Sequence, residues 1–324
     1  MTESLVTTVY RVGHDDRPLP RLIDDAGDGA QRRFVEFFLV NIRNPLTRKS
    51  YLHAVTRFLA ACDGHGVALH QITPIMVAGY IEATQQSLAP PTVKQHLAAL
   101  RVFFDWMVVG QAIPFNPAAS VRGPRYVSKR GKTPVLSSDE LRQLFGSLET
   151  TTTIGLRDRA FLGVMLYSFA RVGAVVHCTV GDYEDRGKRS WITLHEKGGK
   201  LHQVPLHHKA DEYLTDYLAA AGIAGDKKSP LFRSVAGRSG RLTGDTLDAR
   251  CALYMVKRRA LAAGLSAKIC NHSFRASGIT NFRANGGSLE KAAAIAAHES
   301  TETTKLYDRS ADPLTIDEIE RIII

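Results

Sequence analysis

The sequence lacks the residue spacings of a metal or nucleotide site. Its four cysteines lie far apart and form no CxxC pair, so they predict buried thiols and neither a zinc knuckle nor a disulfide framework: Cys62, Cys178, Cys251 and Cys270. No HExxH motif occurs, because Glu302 stands where a second histidine would have to follow His298. Gly131-Lys132-Thr133 resembles the end of a phosphate-binding loop, but Tyr126 occupies the position of its first glycine. We therefore expect no metal and no cofactor.

Long hydrophobic runs are also missing. The most apolar stretch, from Leu97 to Val109, is interrupted by Arg101 and Asp105 and is too short to span a bilayer. The first residues, MTESLVTTVYRVGHDD, do not combine a basic start with an apolar core, which a secretory signal would need. These features predict a cytoplasmic protein without a membrane partner.

The composition that is present suits a globular protein with an anionic partner. A chain of 324 residues with 44% hydrophobic residues can bury a core in each of two domains. Lys and Arg outnumber Asp and Glu by 42 to 32, which gives a formal net charge of +10 and favours a polyanion such as nucleic acid.

The N-terminal part reads as a compact helical domain over residues 31–109, after a loosely ordered lead-in over residues 1–30. Apolar residues recur at helical spacing in four segments. The second segment follows a cap at Thr47, the third opens at Thr73-Pro74, and the fourth begins near Pro91.

Residues 110–135 predict an extended, basic interdomain linker with four prolines. Its cations could lie along DNA phosphates, although a solvated charged linker would have the same composition. The candidate DNA-binding residues of this linker are Arg122, Arg125, Lys129, Arg130 and Lys132.

A second domain is predicted over residues 136–312. It starts with a capping box formed by Ser137 and Glu140. A helix over 156–170 precedes a β-hairpin with the strands SWITLHE and LHQVPL around the turn KGGK, in which Ile192 and Leu194 share one face. Helices are then expected near 209–221, 243–263, 273–285, 288–297 and 301–307. The fold class is therefore mainly α with a small antiparallel β-sheet.

Six residues of this domain could together form a catalytic site: Arg171, Lys197, His272, Arg275, His298 and Tyr307. His272 and Arg275 are three residues apart on a predicted helix, so their side chains share a face. Each of the six alone has an ordinary explanation, such as a helix-terminal cation, a hairpin lysine or a packed tyrosine. Tyr167, one turn before Arg171, is expected to be such a packing residue.

The order of the six residues resembles that of the tyrosine recombinase, or phage integrase, family. The matching segments are FARVG, EKGGKLHQVPL, HSFR, AAHES and KLYDR. The resemblance covers about residues 31–324 and includes an N-terminal helical core-binding (SAM-like) domain and a C-terminal catalytic domain. The chain departs from the family pattern at Ala170 in the Gly-Leu-Arg type turn, at Ala174 where an acidic residue is common, and at Ala297 where glycine usually precedes the histidine.

The resemblance implies an enzyme that cleaves and rejoins DNA strands without a metal. Tyr307 would be the nucleophile that forms a 3′-phosphotyrosine, with His272 helping to remove its proton. Arg171 and Arg275 would neutralise the scissile phosphate, and His298 would hydrogen-bond it. Lys197, on a hairpin that also carries Lys200 near the DNA, would protonate the leaving 5′-oxygen.

The same resemblance implies double-stranded DNA with a specific recombination site as the partner. It implies a homo-oligomer on DNA, expected to be a tetramer in the synaptic complex, associated with the nucleoid. Residues 313–324 predict a short C-terminal helix with an apolar face, which could fold back onto its own domain. The resemblance implies instead that this helix docks in trans on a neighbouring protomer. Two alternatives stay open, namely type IB topoisomerase-like strand relaxation and a catalytically silent DNA-binding regulator.

Overall fold

The computed structural model describes residues 19–126, 131–187, 189–196, 198–237 and 239–310. The chain divides into two compact units, Met1–Val127 and Ser128–Ile324. The prediction of a mainly helical chain with a small antiparallel sheet is confirmed. Within the described ranges, no helix is both long and apolar enough to cross a membrane.

The first unit is helical. Its helices are α1 (Arg21–Asp24), α2 (Asp28–Glu36) with a π-helical extension over Phe37–Asn41, α3 (Pro45–Asp63), α4 (Pro74–Gln85) and α5 (Pro90–Val109). They enclose a phenylalanine cluster with edge-to-face ring contacts, for example between Phe34 and Phe103 at 5.9 Å. Buried aromatic pairs of this kind add to the hydrophobic stabilisation of the core.

The structure corrects the predicted start of this unit. Leu22, Ile23 and Ala30 are buried in the same core, so residues 19–30 are not a loose lead-in, and residues 1–18 lie outside the described part. Helix α3 is capped by Asn44 and not by Thr47: the Asn44 side chain accepts hydrogen bonds from the amides of Leu46 and Thr47. The Thr73-Pro74 start of α4 is confirmed.

Part of the predicted linker belongs to the first core. Ile113, Ala118 and Val121 are buried there. The Arg101 side chain on α5 donates hydrogen bonds to the carbonyl oxygens of Ala118 and Val121. Residues 110–121 are therefore packed, and the remaining described residues up to Tyr126 have no regular secondary structure.

The second unit surrounds a central helix. Its helices are α6 (Ser138–Gly146), α7 (Thr153–Tyr167), α8 (Val172–Val176), α9 (His208–Ala221), α10 (Ala249–Ala262), α11 (Asn271–Ala284), α12 (Leu289–Ile295) and α13 (Thr301–Lys305). The residues of α7 from Ala160 to Leu166 are all buried. Helix α6 begins with the predicted capping box of Ser137 and Glu140. Helix α7 starts earlier than predicted because Thr152 caps it, its hydroxyl accepting from the Gly155 amide at 3.1 Å.

The predicted hairpin forms two strands of a three-stranded antiparallel sheet, in the order β1 (Tyr183–Asp185), β2 (Ser190–His195) and β3 (Leu201–Pro205). Ile192 pairs with Val204, and both Ile192 and Leu194 are buried on one face, as predicted. The sheet thus packs its apolar face on the core, and Glu196, directly after β2, contacts Arg171.

A second hairpin was not predicted. Strands β4 (Arg233–Val235) and β5 (Leu242–Thr246) pair antiparallel. The expected helix over 243–263 is therefore wrong at its beginning, since α10 starts only at Ala249 after a cap by the Asp248 carboxylate.

Candidate active site

Arg275 lies at the centre of the candidate site. It is on the second turn of α11 and is completely buried. Its guanidinium donates hydrogen bonds to the carbonyl oxygens of Phe169 and Ala296, the latter at 2.7 Å, while its Nε is buried without a partner among the described residues. Burial and, next, the positive charge of Arg171 lower the pKa of Arg275 to about 10, so it stays charged at neutral pH.

Two non-glycine residues with a left-handed backbone lie at or next to the carbonyl groups that accept hydrogen bonds from Arg275. Phe169 has φ 53° and Ala297 has φ 49°. Such a conformation typically costs an L-residue about 1–2 kcal/mol. Ala297 occupies the position before His298, where the family resemblance gave glycine, so the turn is formed here without one. The Phe169 ring packs next to Gly278, where an added Cβ would lie 2.6 Å from that ring.

Arg171 immediately precedes α8, and its side chain is 40% exposed. Its Nη1 donates a hydrogen bond of 2.6 Å to Oε2 of Glu196, whose side chain is only 5% exposed. No other described residue hydrogen-bonds the Arg171 side chain. The remaining N–H groups of its guanidinium are therefore available to an anion.

His298 connects Arg275 to the segment that carries Tyr307. Its Nε2 contacts Nη2 of Arg275, and its Nδ1 lies 2.8 Å from the Thr304 hydroxyl. A guanidinium can only donate, so Nε2 accepts and the ring proton is on Nδ1. Burial, followed by the charges of Arg275 and Arg171, lowers the pKa of His298 to about 3, which makes this ring neutral at physiological pH.

Tyr307 follows α13 and is partly exposed. Its ring stacks on that of His298 with 5.6 Å between centroids and lies 6.5 Å from the ring of His272. The guanidinium carbon of Arg275 is 5.6 Å from the Tyr307 ring centroid. The backbone is held by the Thr280 hydroxyl, which donates to the Tyr307 carbonyl oxygen at 3.1 Å.

His272 is the exposed member of the cluster, on the first turn of α11. Desolvation, then the charges of Arg275 and Arg171, lower its pKa below the ordinary histidine value. A neutral imidazole can accept a proton, so His272 has the protonation state that a general base needs.

The structure brings together five of the six predicted site residues: Arg171, His272, Arg275, His298 and Tyr307. Lys197 lies outside the described residues. Its neighbours in the turn are described: the Glu196 amide donates to the Lys200 carbonyl oxygen at 2.8 Å, and His202 on β3 contacts the Ile295 carbonyl oxygen at 3.0 Å. The hairpin is thereby attached to α12.

The predicted DNA-contacting cations are exposed where they are described, namely at Arg122, Arg125, Lys132 and Lys200. Lys129 and Arg130 lie outside the described residues. Tyr167 packs against the second core and stacks on the ring of His207 at 4.1 Å, in agreement with its interpretation as a packing residue.

Sequence reasoning missed Glu196, Thr304 and Phe169 as residues of this site. Glu196 adjoins Lys197, but the pattern did not indicate that its carboxylate turns inward. Among the described residues, no group of three or more His, Cys, Asp or Glu side chains could hold a metal ion. What the site offers are the remaining N–H groups of Arg171 and the buried, unpartnered Nε of Arg275, which suit an anionic group such as a phosphate.

The chain is similar to known proteins over most of its length. The family model described as Phage integrase family matches residues 134–313, and the Phage integrase, N-terminal SAM-like domain matches residues 33–109. Tyrosine recombinase XerC of Salmonella typhi is 24% identical over 281 residues, covering 85% of this chain and 89% of XerC. The XerC of Proteus mirabilis is 28% identical over 225 residues, covering 69% of each chain.

Solved structures show the same fold. XerH site-specific recombinase bound to palindromic difH substrate in a post-cleavage complex superimposes with a TM-score of 0.70 at 16% identity, over 99% of this chain and 94% of that one. A lambda integrase tetramer bound to a Holliday junction gives a TM-score of 0.64 at 17% identity, over 97% and 89%. Since the Phage integrase family model matches more than half of the sequence, the chain belongs to the phage integrase family and is a tyrosine recombinase, an enzyme that cleaves and rejoins DNA.

Proposed function

We propose that this recombinase exchanges strands between two copies of a specific DNA site, with Tyr307 as the nucleophile. The observation that carries the proposal is the position of Tyr307, whose ring adjoins both His298 and the buried Arg275 guanidinium. The tyrosine oxygen attacks the scissile phosphorus, the bond to the 5′-oxygen breaks, and a 3′-phosphotyrosine forms. The phosphodiester is exchanged and not hydrolysed, so a 5′-hydroxyl from another strand can reverse the step.

Arg171 and Arg275 neutralise the phosphate in this proposal. The exposed donors of Arg171 and the unpartnered Nε of Arg275 support it. Donors that are already in place need no reorganisation when charge develops in the transition state. Loss of one such contact typically lowers the rate about a hundred- to a thousandfold.

His272 takes the phenolic proton of Tyr307. The ring centroids are 6.5 Å apart without DNA, and such contacts typically tighten when the substrate binds. The Nε2 of His298 accepts a hydrogen bond from Arg275, so His298 orients that guanidinium. For Nε2 to donate a hydrogen bond to the phosphate, the imidazole proton would have to move from Nδ1 to Nε2.

The proton for the leaving 5′-oxygen comes from Lys197, an assignment that rests on the family resemblance. Lys197→Ala should be slow on ordinary DNA and recover on DNA with sulfur at the 5′-bridging position, because a thiolate leaves without a proton. Equal impairment on both substrates would assign Lys197 to DNA binding.

The proposed partner is double-stranded DNA in the nucleoid, bound by a homo-oligomer that becomes a tetramer in the synaptic complex. The net charge of +10 and the exposed cations Arg122, Arg125, Lys132 and Lys200 support DNA binding. Two relatives also support it, XerH bound to difH substrate and the lambda integrase tetramer on a Holliday junction.

A cleft of about 930 Å³ in the second unit supports assembly through the C-terminal segment. Its lining includes the apolar residues Leu141, Phe145 and Phe282 and the cations Arg142, Lys209 and Lys291. Residues 313–324, PLTIDEIERIII, combine apolar residues with three acidic ones and lie outside the described residues. We propose that this segment of one protomer occupies the cleft of a neighbour.

Deleting residues 313–324 should leave single-site DNA binding nearly intact while it abolishes the paired-site complex. Lys291→Glu in the full-length chain should weaken only the paired complex, because it reverses a charge of the cleft. If the truncated protein pairs and recombines sites at the normal rate, the segment does not link protomers.

A plasmid assay distinguishes the proposed function from its two rivals. Sites are first selected from random DNA, and two copies are placed on one supercoiled plasmid. The proposal predicts deletion or inversion products. Relaxation without recombinants would indicate topoisomerase-like activity, and DNA binding without any covalent adduct would indicate a silent regulator.

A further inference from the structure

Glu196 is an unusually placed carboxylate in this cationic site. Its side chain is 5% exposed, its Oε2 accepts the hydrogen bond from Arg171, and its Oε1 is buried without a partner among the described residues. Burial of a half-satisfied carboxylate is costly unless a cation compensates it. Arg171 supplies that compensation, so the two side chains hold each other in place.

The backbone holds Glu196 firmly. It follows the last residue of β2, and its amide closes the turn by bonding the Lys200 carbonyl oxygen. Gly198 and Gly199 both have φ near 80°, a left-handed conformation that glycine tolerates and that this tight turn requires. Because β3 is attached to α12 through His202, the carboxylate has a defined position relative to the rest of the site.

The charge of Glu196 acts on both arginines. It forms the ion pair with Arg171, and it raises the pKa of Arg275 against the larger lowering effects of burial and of Arg171. The neighbouring histidines do not compensate the arginine charges, because the pKa of each histidine is lowered and both rings are neutral. Ala174 on α8, three residues after Arg171, is buried and offers no carboxylate.

The hydrogen bond to Glu196 leaves most of the N–H groups of Arg171 free to bind a ligand. Only Nη1 is engaged by Glu196, and the side chain is 40% exposed. One anchored N–H restricts the positions of the guanidinium and leaves the edge formed by Nη2 and Nε for a pair of phosphate oxygens. Without the anchor, an arginine of this exposure would sample several rotamers and lose entropy when it binds.

We propose that Glu196 is a positioning residue for the strand-cleavage reaction: it orients Arg171 toward the scissile phosphate. It acts through Arg171 and does not itself touch the reacting atoms. This inference rests on the proposed function, in which Arg171 binds that phosphate.

The test measures single-turnover formation of the covalent adduct at saturating concentrations of a nicked suicide substrate. Glu196→Ala should slow adduct formation about ten- to a hundredfold, the typical effect of one hydrogen bond to a charged group. DNA affinity should be equal or tighter, because the variant removes a negative charge near phosphates. Glu196→Gln should recover part of the rate, since its amide oxygen can accept the same hydrogen bond.

Two further variants make the test specific. Glu184→Gln is the matched control, because Glu184 forms an exposed ion pair with Arg186 on the same sheet, and its rate should equal that of wild type. In an Arg171→Ala background, Glu196→Ala should cause no further loss, because a residue that acts through Arg171 has nothing left to orient.

Unchanged or faster cleavage by Glu196→Ala would overturn the proposal, and so would a full additional loss in the Arg171→Ala background. Either result with an active wild-type enzyme would refute the role of Glu196 alone. Absence of any adduct from wild type would instead refute the proposed function.

Discussion

The neutral state of His298 makes the stability of the second unit depend on pH. In the folded protein its pKa is about 3, whereas an unfolded histidine titrates near 6.5. The unfolded chain therefore binds more protons between these values, and stability falls as the pH decreases below about 6.5. Above that pH the contribution of His298 is fully present.

The magnitude follows from proton linkage. Acidification from about pH 7.5 to about pH 5.5 should cost about 1.4 kcal/mol of unfolding free energy through His298 alone, and this figure holds for any folded pKa below about 4.5. For a unit of this size the corresponding change in Tm is about 3–6 °C.

The assay compares wild type with His298→Gln by urea denaturation at both pH values. Glutamine can accept a hydrogen bond from Arg275 and donate one to Thr304, but it does not titrate. The loss of unfolding free energy on acidification should therefore be smaller for the variant than for wild type by about 1.4 kcal/mol. His272, whose pKa is also lowered, contributes equally to both proteins and cancels. With Trp106 replaced by phenylalanine in both, the fluorescence of Trp191 follows the second unit alone. An identical loss of stability in the two proteins would refute the neutral, Arg275-bonded state of His298.

Three further predictions follow from other parts of the molecule. Asp158→Asn should destabilise the second unit by about 3–5 kcal/mol in urea denaturation, because it leaves the buried Arg157 and the partly buried Arg259 without their shared carboxylate. Asp216→Asn, which changes a carboxylate that is 47% exposed, should cost under about 1 kcal/mol. Gly278→Ala should cost about 1–3 kcal/mol, because its Cβ would lie 2.2 Å from the Leu166 carbonyl oxygen, whereas Gly244→Ala meets no atom within 4 Å; equal Tm values for the two variants would contradict this packing. Arg125→Ala should weaken DNA binding evenly across sequences and reduce the log-log salt slope by about one, and an unchanged slope would place Arg125 off the phosphates.

Local sequence signals predicted the elements whose cause is local. The capping box at Ser137 and the start of α4 at Thr73-Pro74 depend only on neighbouring residues. The alternation of Ile192 and Leu194 is likewise visible within the sequence of a single strand. The family resemblance selected five residues that the structure brings together from α8, α11 and the segment around α13. The order of residues carried that information, because no single motif was specific.

Features that depend on tertiary packing could not be predicted. Strand β5 is largely exposed and has no apolar alternation, so its sequence does not indicate a strand. Leu22 and Ile23 form only one turn, and their burial depends on the core that the other helices create. The Glu196 carboxylate pairs with Arg171, and the carbonyl oxygen of the left-handed residue Phe169 accepts a hydrogen bond from Arg275. In each pair the two residues are distant in sequence, so local patterns do not reveal the contact.

The central claim is that Tyr307 forms the covalent bond to DNA. The most direct measurement traps the adduct on a nicked suicide substrate with wild type, Tyr307→Phe and the matched control Tyr167→Phe, which changes a tyrosine stacked on His207. Tyr307→Phe removes only the attacking oxygen, so it should bind DNA with wild-type affinity and form no adduct, while Tyr167→Phe should form it. An adduct from Tyr307→Phe, or its loss in Tyr167→Phe at normal DNA binding and stability, would contradict the account.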